Sequence, residues 1–258
     1  MNDVFLNLRL SWQVVVRNWT VYRKDFLANI SPTLADPALI LASLGMGLSG
    51  FVGQIDGMSY AQFLAPGMIA TTALFTAFFE SSYGFYVRMT FESVFKAMLT
   101  TPIGVNEVVT GEFMWVFVRA ALMGLGVALV LLLLGLLPNP LALLICPLIA
   151  GFLSLPCAAI GLLASAWVRN INQFQTVYSF LIAPIFYLSG VFFPIPAGSV
   201  LAPVVQFSPF FHGVKLIQFS VWGHGGWNAI LWHAGMLGGF TVLLCVLSYR
   251  FIGRKLTT

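Results

Sequence analysis

Long stretches without any charged side chain constrain this chain more than any other feature. Its charged residues are separated by five such stretches of 19, 23, 49, 45 and 34 residues, namely 37–55, 57–79, 120–168, 170–214 and 216–249. A helix that crosses the hydrocarbon core of a bilayer needs about 20 apolar residues. Charged residues make up 8% of the chain, against about 25% in a soluble domain. The pattern excludes a soluble globular protein and predicts a multi-span membrane protein.

The uncharged stretches divide into six predicted membrane-spanning helices. The stretch 120–168 holds two of them, because the turn sequence 135–140 (Gly-Leu-Leu-Pro-Asn-Pro) interrupts it. Four prolines argue against a continuous helix over 193–227, so this segment is predicted to be re-entrant or to form short outer helices. The membrane domain, 31–258, is therefore predicted to be all-α, with spans near residues 36–54, 62–86, 113–136, 141–167, 173–192 and 228–249.

The distribution of basic residues sets the predicted orientation, because Lys and Arg concentrate on the cytoplasmic side of membrane proteins. With six spans and both termini in the cytoplasm, eleven of the twelve basic residues lie at or near the cytoplasmic face, and Lys215 falls outside. A seventh span over 199–222 would carry Arg250, Arg254 and Lys255 to the outer side. The sequence therefore favours six spans over seven.

Residues 1–30 are predicted to form an amphipathic helix in the cytoplasmic interface, since apolar side chains recur there at spacings of three and four. Polar and basic side chains, among them Arg17 and Lys24, lie on the opposite side. No continuous apolar core of a signal peptide is present. The helix is either a membrane anchor or a link to a cytoplasmic partner. Its predicted apolar face comprises Phe5, Leu8, Trp12, Val15, Val16, Trp19, Tyr22 and Phe26.

Several chemistries are excluded by the residues present. A Walker-type nucleotide loop needs a glycine directly before its lysine, and no lysine of this chain follows one. All eight carboxylates lie at or before Glu112, and His212, His224 and His233 have no Cys or carboxylate at ligand spacing. Basic residues are spread singly, which does not favour nucleic-acid binding. We therefore expect no metal site, no cofactor on this chain and no enzymatic activity.

The largest predicted cytoplasmic loop, 88–112, contains three acids and two bases. Residues 91–99 have a helical pattern in which Glu92 and Lys96 lie four apart, a favourable spacing for opposite charges. This short amphipathic helix is either a plain interfacial turn or the element that docks on a soluble motor. The residues predicted for such docking are Phe91, Glu92, Phe95, Lys96, Met98 and Leu99, together with Arg17 and Lys24 of the N-terminal helix.

Glu80 is the acid predicted to lie deepest inside a span, about two turns from the inner end of the second helix. A lone charge in hydrocarbon is costly, so Glu80 should face protein or water and find a partner. Arg119 lies at a comparable depth in the third span, and the two are predicted to form an ion pair. The pair either fixes helix register or contacts a substrate.

Aromatic residues crowd the second span around Glu80: Phe75, Phe78, Phe79, Tyr83, Phe85 and Tyr86. In most membrane helices such rings pack between helices or against lipid. In an exporter of amphiphiles they would form a wall on which sugars stack and acyl chains slide. The sequence leaves both interpretations open.

One segment of the chain resembles the signature region of the ABC type 2 export permeases: Ile182, Ile185, Leu188-Ser189, Val191, Gly198-Ser199, Pro209-Phe210, His212 and Gln218. Further segments resemble the NodJ branch of that family, the permeases of nodulation-factor exporters: Leu34–Pro37, Gly57–Tyr60, Phe63–Met68, Phe79–Gly84 and Gly111-Glu112. The likeness covers nearly the whole chain.

The resemblance implies a homodimer of six-span subunits in a bacterial inner membrane, engaging two copies of a separate ATPase chain that binds ATP and Mg²⁺. In this family the N-terminal helix and the first cytoplasmic loop contact the ATPase, and short helices between the fifth and sixth spans form an outer lid. In this family the second and fifth spans usually flank a transport pathway along the dimer axis. This implies Phe75, Phe79, Tyr83, Phe180 and Tyr187 as lining residues.

The sequence is compatible with three functions. The first is an ATP-driven exporter of an amphiphile, since relatives of this family export lipo-chitooligosaccharides, lipid-linked polysaccharides or drugs. The second is a gradient-driven carrier that uses Glu80 as its proton site, although no internal repeat typical of carriers is evident. The third, an intramembrane enzyme, is disfavoured because no nucleophile, base and metal set converges.

Overall fold

The computed structural model of the protein describes residues 2–196, 198–223 and 225–257, so His224 lies outside the described residues. Five helices in this part of the chain are long and apolar enough to cross a membrane. They confirm the predicted class, an all-α membrane protein. They extend over Asn7–Met46, Tyr60–Thr90, Val105–Leu133, Ala142–Trp167 and Trp227–Leu256.

The elements follow one another with short connections. The helices are α1 (Asn2–Tyr22), α2 (Phe26–Ile40), α3 (Ser49–Val52), α4 (Tyr60–Phe79), α5 (Phe85–Thr90), α6 (Val94–Leu99), α7 (Val105–Leu133), α8 (Ala142–Trp167), α9 (Gln173–Val177), α10 (Ala183–Tyr187), α11 (Leu201–Val205), α12 (Pro209–Trp222) and α13 (Trp227–Thr257). A 3₁₀ turn (Arg23–Asp25) joins α1 to α2, and π turns occupy Leu41–Met46, Glu80–Gly84 and Tyr178–Ile182. Strands β1 (Gln54–Ile55) and β2 (Met58–Ser59) form an antiparallel hairpin.

The first span begins earlier than predicted. Helix α2 starts at Phe26, and the chain stays helical from there to Met46, whereas the sequence placed the span at 36–54. The hairpin then turns at Asp56 and Gly57, both with positive φ. The helical stretch Asn7–Met46 has 40 residues, about 60 Å at the rise of an α-helix. It is about twice as long as a bilayer core is thick, so its first part cannot lie in the hydrocarbon together with α2.

Helix α1 contacts the rest of the molecule through an edge that overlaps the predicted apolar face only at Val15 and Tyr22. Its buried edge packs on α7 and combines small, polar and apolar side chains: Ser11, Val14, Val15, Asn18 and Tyr22. Leu8, Trp12 and Trp19, from the predicted apolar stripe, are exposed beside this edge. The helix therefore has three faces, one toward α7, one apolar and free, and one basic.

Helix α4 lies at the centre of the molecule, where it packs against α7, α8 and α12. A capping box fixes its start, since the Ser59 hydroxyl accepts the backbone N–H of Gln62 and the Gln62 side chain accepts the backbone N–H of Ser59. Helices α7 and α8 pack side by side, joined by the predicted turn, in which Gly135 has φ 69°. This arrangement places the face of α7 that carries Glu112 and Arg119 near the C-terminal end of α4.

The fifth predicted span, 173–192, is helical only over α9, the π turn and α10, which have 5 residues each. That is about 22 Å of helix, less than the roughly 30 Å of a bilayer core. The chain then turns at Gly190 (φ 76°). The following segment contains α11 and α12, as short helices were predicted there. Helix α12 is largely buried between α4, α8 and α13.

Candidate functional site: an aromatic cavity and an ion-pair chain

A cavity of about 700 Å³ lies between α2, α4 and the segment from Tyr178 to Phe186. One wall is aromatic: Phe75 packs on Phe79 and Tyr178 with ring centroids 6.1 and 6.2 Å away, and on Phe186 at 5.1 Å. The remaining lining residues are Pro32, Thr33, Asp36, Pro37, Leu39, Ile40, Thr71, Thr72, Thr76, Glu80 and Arg119. The cavity is thus mainly apolar, with charged groups at one end.

Some of the predicted lining residues lie in this cavity and others lie outside it. Phe75 and Phe79 line the cavity, while Tyr83 packs beside it on Phe174 with ring centroids 4.8 Å apart. Phe180 is 81% exposed and Tyr187 is exposed as well, both outside the cavity. From this segment, Tyr178 and Phe186 line the cavity. The role of Phe180 and Tyr187 on a pathway along the dimer axis stays a prediction.

Threonines provide the polar part of the wall. The hydroxyls of Thr71 and Thr72 donate to the carbonyl oxygens of Gly67 and Met68, at 2.8 and 2.9 Å. Such bonds within the helix use the hydroxyl hydrogens and leave oxygen lone pairs as acceptors. On the α2 side, Asp36 adds a carboxylate to the lining. The cavity therefore offers aromatic faces, hydroxyl acceptors and charge to a bound molecule.

Glu80 closes one end of the cavity and accepts three hydrogen bonds. Its Oε1 atom accepts Arg88 Nη1 at 2.7 Å and Trp115 Nε1 at 3.1 Å, and its Oε2 atom pairs with Arg119 Nη1. The guanidinium of Arg119 also lies 4.9 Å from the centroid of the Tyr22 ring. Glu80 and Arg119, the two residues predicted to meet, are thus in direct contact.

Two further residues extend this contact, and the sequence reasoning did not identify them. Arg88 Nη2 donates to Glu112 Oε2 at 2.6 Å, and Glu112 Oε1 accepts Asn18 Nδ2 at 3.0 Å. We call Glu112, Arg88, Glu80 and Arg119 the ion-pair chain. Its four side chains are between 2% and 18% exposed. Two carboxylates face two guanidiniums, so the buried group is neutral overall, as burial of charge requires.

Helix geometry explains how the four residues meet. Glu112, Trp115 and Arg119 are spaced by three and four on α7, so they share a face. Glu80 and Arg88 are eight residues apart, and in a regular helix their side chains would point about 80° apart. The π turn Glu80–Gly84 absorbs one residue, which reduces the angle to about 20°. The spacing on α7 was a usable sequence signal for Glu112, whereas the π turn was not visible.

The loop residues predicted for docking divide between core and surface. Helix α6 begins at Val94 rather than 91, because Ser93 has φ 53° and interrupts the helix. Phe95 is only 1% exposed and packs on Phe85, with ring centroids 4.6 Å apart. Phe91, Glu92 and Lys96 are exposed, as is Lys24, while Met98, Leu99 and Arg17 are half-buried. Among the described residues no ion pair joins Glu92 to Lys96.

A second buried polar group, the histidine pair, lies between α12 and α13. His212 Nδ1 is 2.8 Å from His233 Nδ1, and His212 Nε2 is 3.0 Å from the Gln206 carbonyl oxygen. A carbonyl oxygen only accepts, so His212 donates through Nε2, and with neutral rings its Nδ1 accepts the N–H of His233. Burial lowers the pKa of His212 and favours that neutral form. In the described residues no group of three or more potential metal ligands occurs.

Comparison with known proteins agrees with this architecture. The profile of the ABC-2 type transporter family matches residues 9–222.

Nodulation protein J of Rhizobium leguminosarum bv. viciae is 34% identical over 249 residues, which cover 96% of this chain and 95% of the relative. The Rhizobium meliloti nodulation protein J is 32% identical, covering 93% and 91% of the two chains. The inner membrane transport permease YadH of Escherichia coli is 23% identical over 73% of this chain and 74% of its own length. Since the profile and the relatives span most of its length, this chain belongs to the ABC-2 type transporter family.

Proposed function

We propose that the chain is the permease subunit of an ATP-driven exporter of an amphiphilic cargo. The cargo class comprises lipo-oligosaccharides, glycolipids and lipophilic compounds, taken from the cytoplasm or the inner leaflet. The protein is a multi-pass protein of the bacterial inner membrane. The observation that carries the proposal is the aromatic cavity whose charged end continues, through the ion-pair chain, to α1 and to the loop that contains α6.

The chemistry of the cavity fits an amphiphile. Aromatic faces such as those of Phe75, Phe79 and Tyr178 stack on the apolar faces of sugars and also contact acyl chains. Threonine oxygens accept hydrogen bonds from hydroxyl groups. A volume of about 700 Å³ is within the range of ligand pockets, about 300 to 1,000 Å³. The cavity would therefore hold part of a large cargo, such as a sugar unit or a segment of its chain.

The proposed topology has six spans with both termini in the cytoplasm. In this topology the fifth span along the chain is formed by the short helices α9 and α10. They enter the membrane, are shorter than a full span and are followed by the turn at Gly190. This arrangement keeps Arg9, Arg17, Arg88, Arg169 and Arg254 on one side, as the positive-inside rule requires. Insertion of a reporter after Thr90 and after Gly223 tests it, since the first should report cytoplasm and the second the outer side.

The proposed assembly is a homodimer that engages two copies of a soluble ATPase, with ATP and Mg²⁺ bound on that partner chain and not on this one. The docking surface is the exposed side of the loop, with Phe91, Glu92 and Lys96, together with Lys24. Phe95 supports this surface from below by packing on α5. A displacement of the loop by a bound ATPase would therefore also move α5.

Reconstitution tests the proposal directly. The chain is co-expressed with a soluble ABC ATPase from the same organism, and transport of a labelled glycolipid is measured in proteoliposomes with and without ATP. Co-purification and ATP-dependent transport are expected. Lys96→Glu should weaken co-purification without changing the thermal stability of the permease, since Lys96 is exposed. Arg250→Glu, at an exposed position of α13, is the matched control. Transport by the chain alone on an ion gradient would overturn the proposal.

The alternative, a proton-coupled carrier using Glu80, is less favoured by the geometry. A carboxylate held by two guanidiniums and an indole N–H is stabilised in its charged form, whereas a proton carrier must also accept a proton. Glu80→Gln separates the two functions. It should abolish gradient-driven flux in a carrier, while an ATP-driven exporter would keep part of its ATP-dependent transport.

A further inference from the structure

We infer that Arg88 is a positioning residue that links the N-terminal helix and the α6 loop to the cavity, an inference that rests on the proposed function. Arg88 is the only residue in the described part of the chain that bridges two carboxylates. Its two terminal nitrogens hold Glu80, on the cavity wall, and Glu112, which is bound to α1 through Asn18. Movement at either end is therefore transmitted through this guanidinium, in addition to the direct contact between Tyr22 of α1 and Arg119.

The two-pronged guanidinium of Arg88 fixes the positions of Glu80 and Glu112 relative to each other. A guanidinium is planar and its Nη atoms point in fixed directions, so the two carboxylates cannot shift independently of each other. The contact distances of 2.7 and 2.6 Å are those of charge-assisted hydrogen bonds. A lysine at this position would offer a single ammonium group, which cannot hold both carboxylates in the same way.

Arg88 is also attached to the loop. It lies in the last turn of α5, and Phe85 in the same helix packs on Phe95 of α6. Three residues separate α5 from α6. A displacement of α6 therefore shifts the helix that carries Arg88.

The π turn between Glu80 and Arg88 supplies the element that can change. Converting the π turn to regular helix would rotate Arg88 by about 100° about the helix axis, from about 20° on one side of Glu80 to about 80° on the other. Gly84, in this turn, lies against the ion pair, since a Cβ there would be in van der Waals contact with Arg88 Nη1 at 3.4 Å and with the Glu80 carboxylate at 3.7 Å. The Ser165 hydroxyl, between the carbonyl oxygens of Ser81 and Ser82 at 3.0 and 3.1 Å, ties the turn to α8. Release of Arg88 would leave Glu80 and Arg119 alone at the end of the cavity.

The test uses a variant in which the link is broken but the charge balance is kept. Arg88→Met alone leaves Glu112 without its cation, and the free energy of unfolding should fall. Adding Glu112→Gln restores neutrality and keeps an acceptor for Asn18, so stability should recover. The double variant, R88M/E112Q, therefore separates loss of the link from loss of folding. Arg88→Lys is a second variant that retains the charge without the fork.

The readout is the reactivity of a cavity cysteine in the permease alone. Thr76→Cys is introduced in a background without the native cysteines, and its rate of labelling by a maleimide is compared with and without Asn18→Ala, which detaches α1 from Glu112. With Arg88 present the rate should change by at least about threefold. In R88M/E112Q and in Arg88→Lys the change should be absent or smaller. Ala234→Cys, exposed on α13, is the control position.

An equal response to Asn18→Ala in all backgrounds would overturn the inference. A second arm uses the complete exporter, in which R88M/E112Q should keep its ATPase activity and lose transport by about tenfold. Full transport by the folded double variant would show that Arg88 only stabilises the protein. If the cysteine experiment succeeds and the unmodified chain shows no ATP-dependent transport, the link stands and the proposed function fails.

Discussion

The ion-pair chain and the histidine pair are both buried polar groups among apolar helices, yet they are built in opposite ways. The first pairs two carboxylates with two guanidiniums, and the second joins two neutral rings and a carbonyl oxygen. The reason lies in the sequence, since no carboxylate follows Glu112. A buried cation in the second half would have no local counter-charge.

The contrast has mechanical consequences. Charged groups bind strongly to one another, but a buried charge that loses its partner destabilises the protein. The ion-pair chain therefore suits an element that exchanges one charged partner for another. A neutral hydrogen bond between two helices, such as the one from α12 to α13, loses less when it breaks. The comparison predicts that substitutions in the ion-pair chain cost more than those at the histidine pair.

Glu80→Gln should have the largest effect. It leaves the guanidiniums of Arg88 and Arg119 facing a neutral amide, and breaking a buried pair in this way costs about 3 to 5 kcal/mol. The free energy of unfolding in mixed micelles measures the loss. Asn106→Asp, at an exposed position of α7, is the control for a change of charge alone. A loss below about 1 kcal/mol would mean that the ion-pair chain is largely hydrated, because hydrated pairs contribute about that much or less.

Gly111→Ala should follow, because Gly111 is where α7 touches α1. A Cβ there would lie 2.5 Å from Val14 Cβ and 2.7 Å from the Ser11 carbonyl oxygen. The backbone of α1 would have to move, at a cost of about 1 to 3 kcal/mol. Gly213→Ala on α12 is the matched comparison. It meets the flexible end of Leu153, so its loss in the same unfolding assay should be smaller, and equal losses would contradict the distinction.

The histidine pair predicts a smaller, pH-dependent effect. Burial lowers the pKa of His212, so the unfolded chain takes up a proton more readily than the folded one. Stability should be constant above the usual histidine pKa of about 6.5 and fall as the pH drops below it. The charged groups near the pair are Lys215 on α12 and Asp56 on the hairpin, while α4 and α8 carry none.

Unfolding measured between pH 7.5 and 5 checks this prediction. His212→Gln should flatten the dependence, because glutamine has no proton to bind in this range. His233→Gln tests the partner ring in the same way. A slope that is unchanged in both variants would assign the pH dependence to other groups and would contradict the neutral pairing.

Glu92→Gln should have the smallest effect on stability. Glu92 is exposed and has no ion pair among the described residues, so the change should stay within about 0.5 kcal/mol. Co-purification with the ATPase should nevertheless weaken if the loop surface is the docking site. Unchanged co-purification would place the contact on other residues of the loop or on α1.

Much of the architecture could be predicted from the sequence. Uncharged stretches predicted long apolar helices, and Gly135 with Pro138 and Pro140 predicted the turn between α7 and α8. The opposite charges of Glu80 and Arg119 at similar depth predicted their contact, because a lone charge in hydrocarbon is costly. These signals are local or depend only on depth, so a single sequence is enough to read them.

The lining residues and the helix boundaries were harder to predict. Tyr178 and Phe186, on either side of the predicted Phe180, line the cavity within the chain, whereas Phe180 and Tyr187 stay a prediction for the dimer-axis pathway. Arg88 reaches Glu80 through a π turn. A π turn depends on the packing around it and leaves no clear pattern in the sequence. Beyond a π turn, the positions predicted from regular helical spacing are therefore shifted by one residue.

The sequence by itself determined that this chain lies in a membrane, that it is helical, and that its carboxylate side chains are confined to the first half. Only the tertiary structure decided which helix faces meet. On α1, the buried edge contains Ser11 and Asn18, while the more apolar stripe with Trp12 remains free. Lipid is as apolar as a protein core, so hydrophobicity cannot distinguish a face toward lipid from a face toward protein. Small residues and polar contacts make that choice, and they act only once the helices are packed.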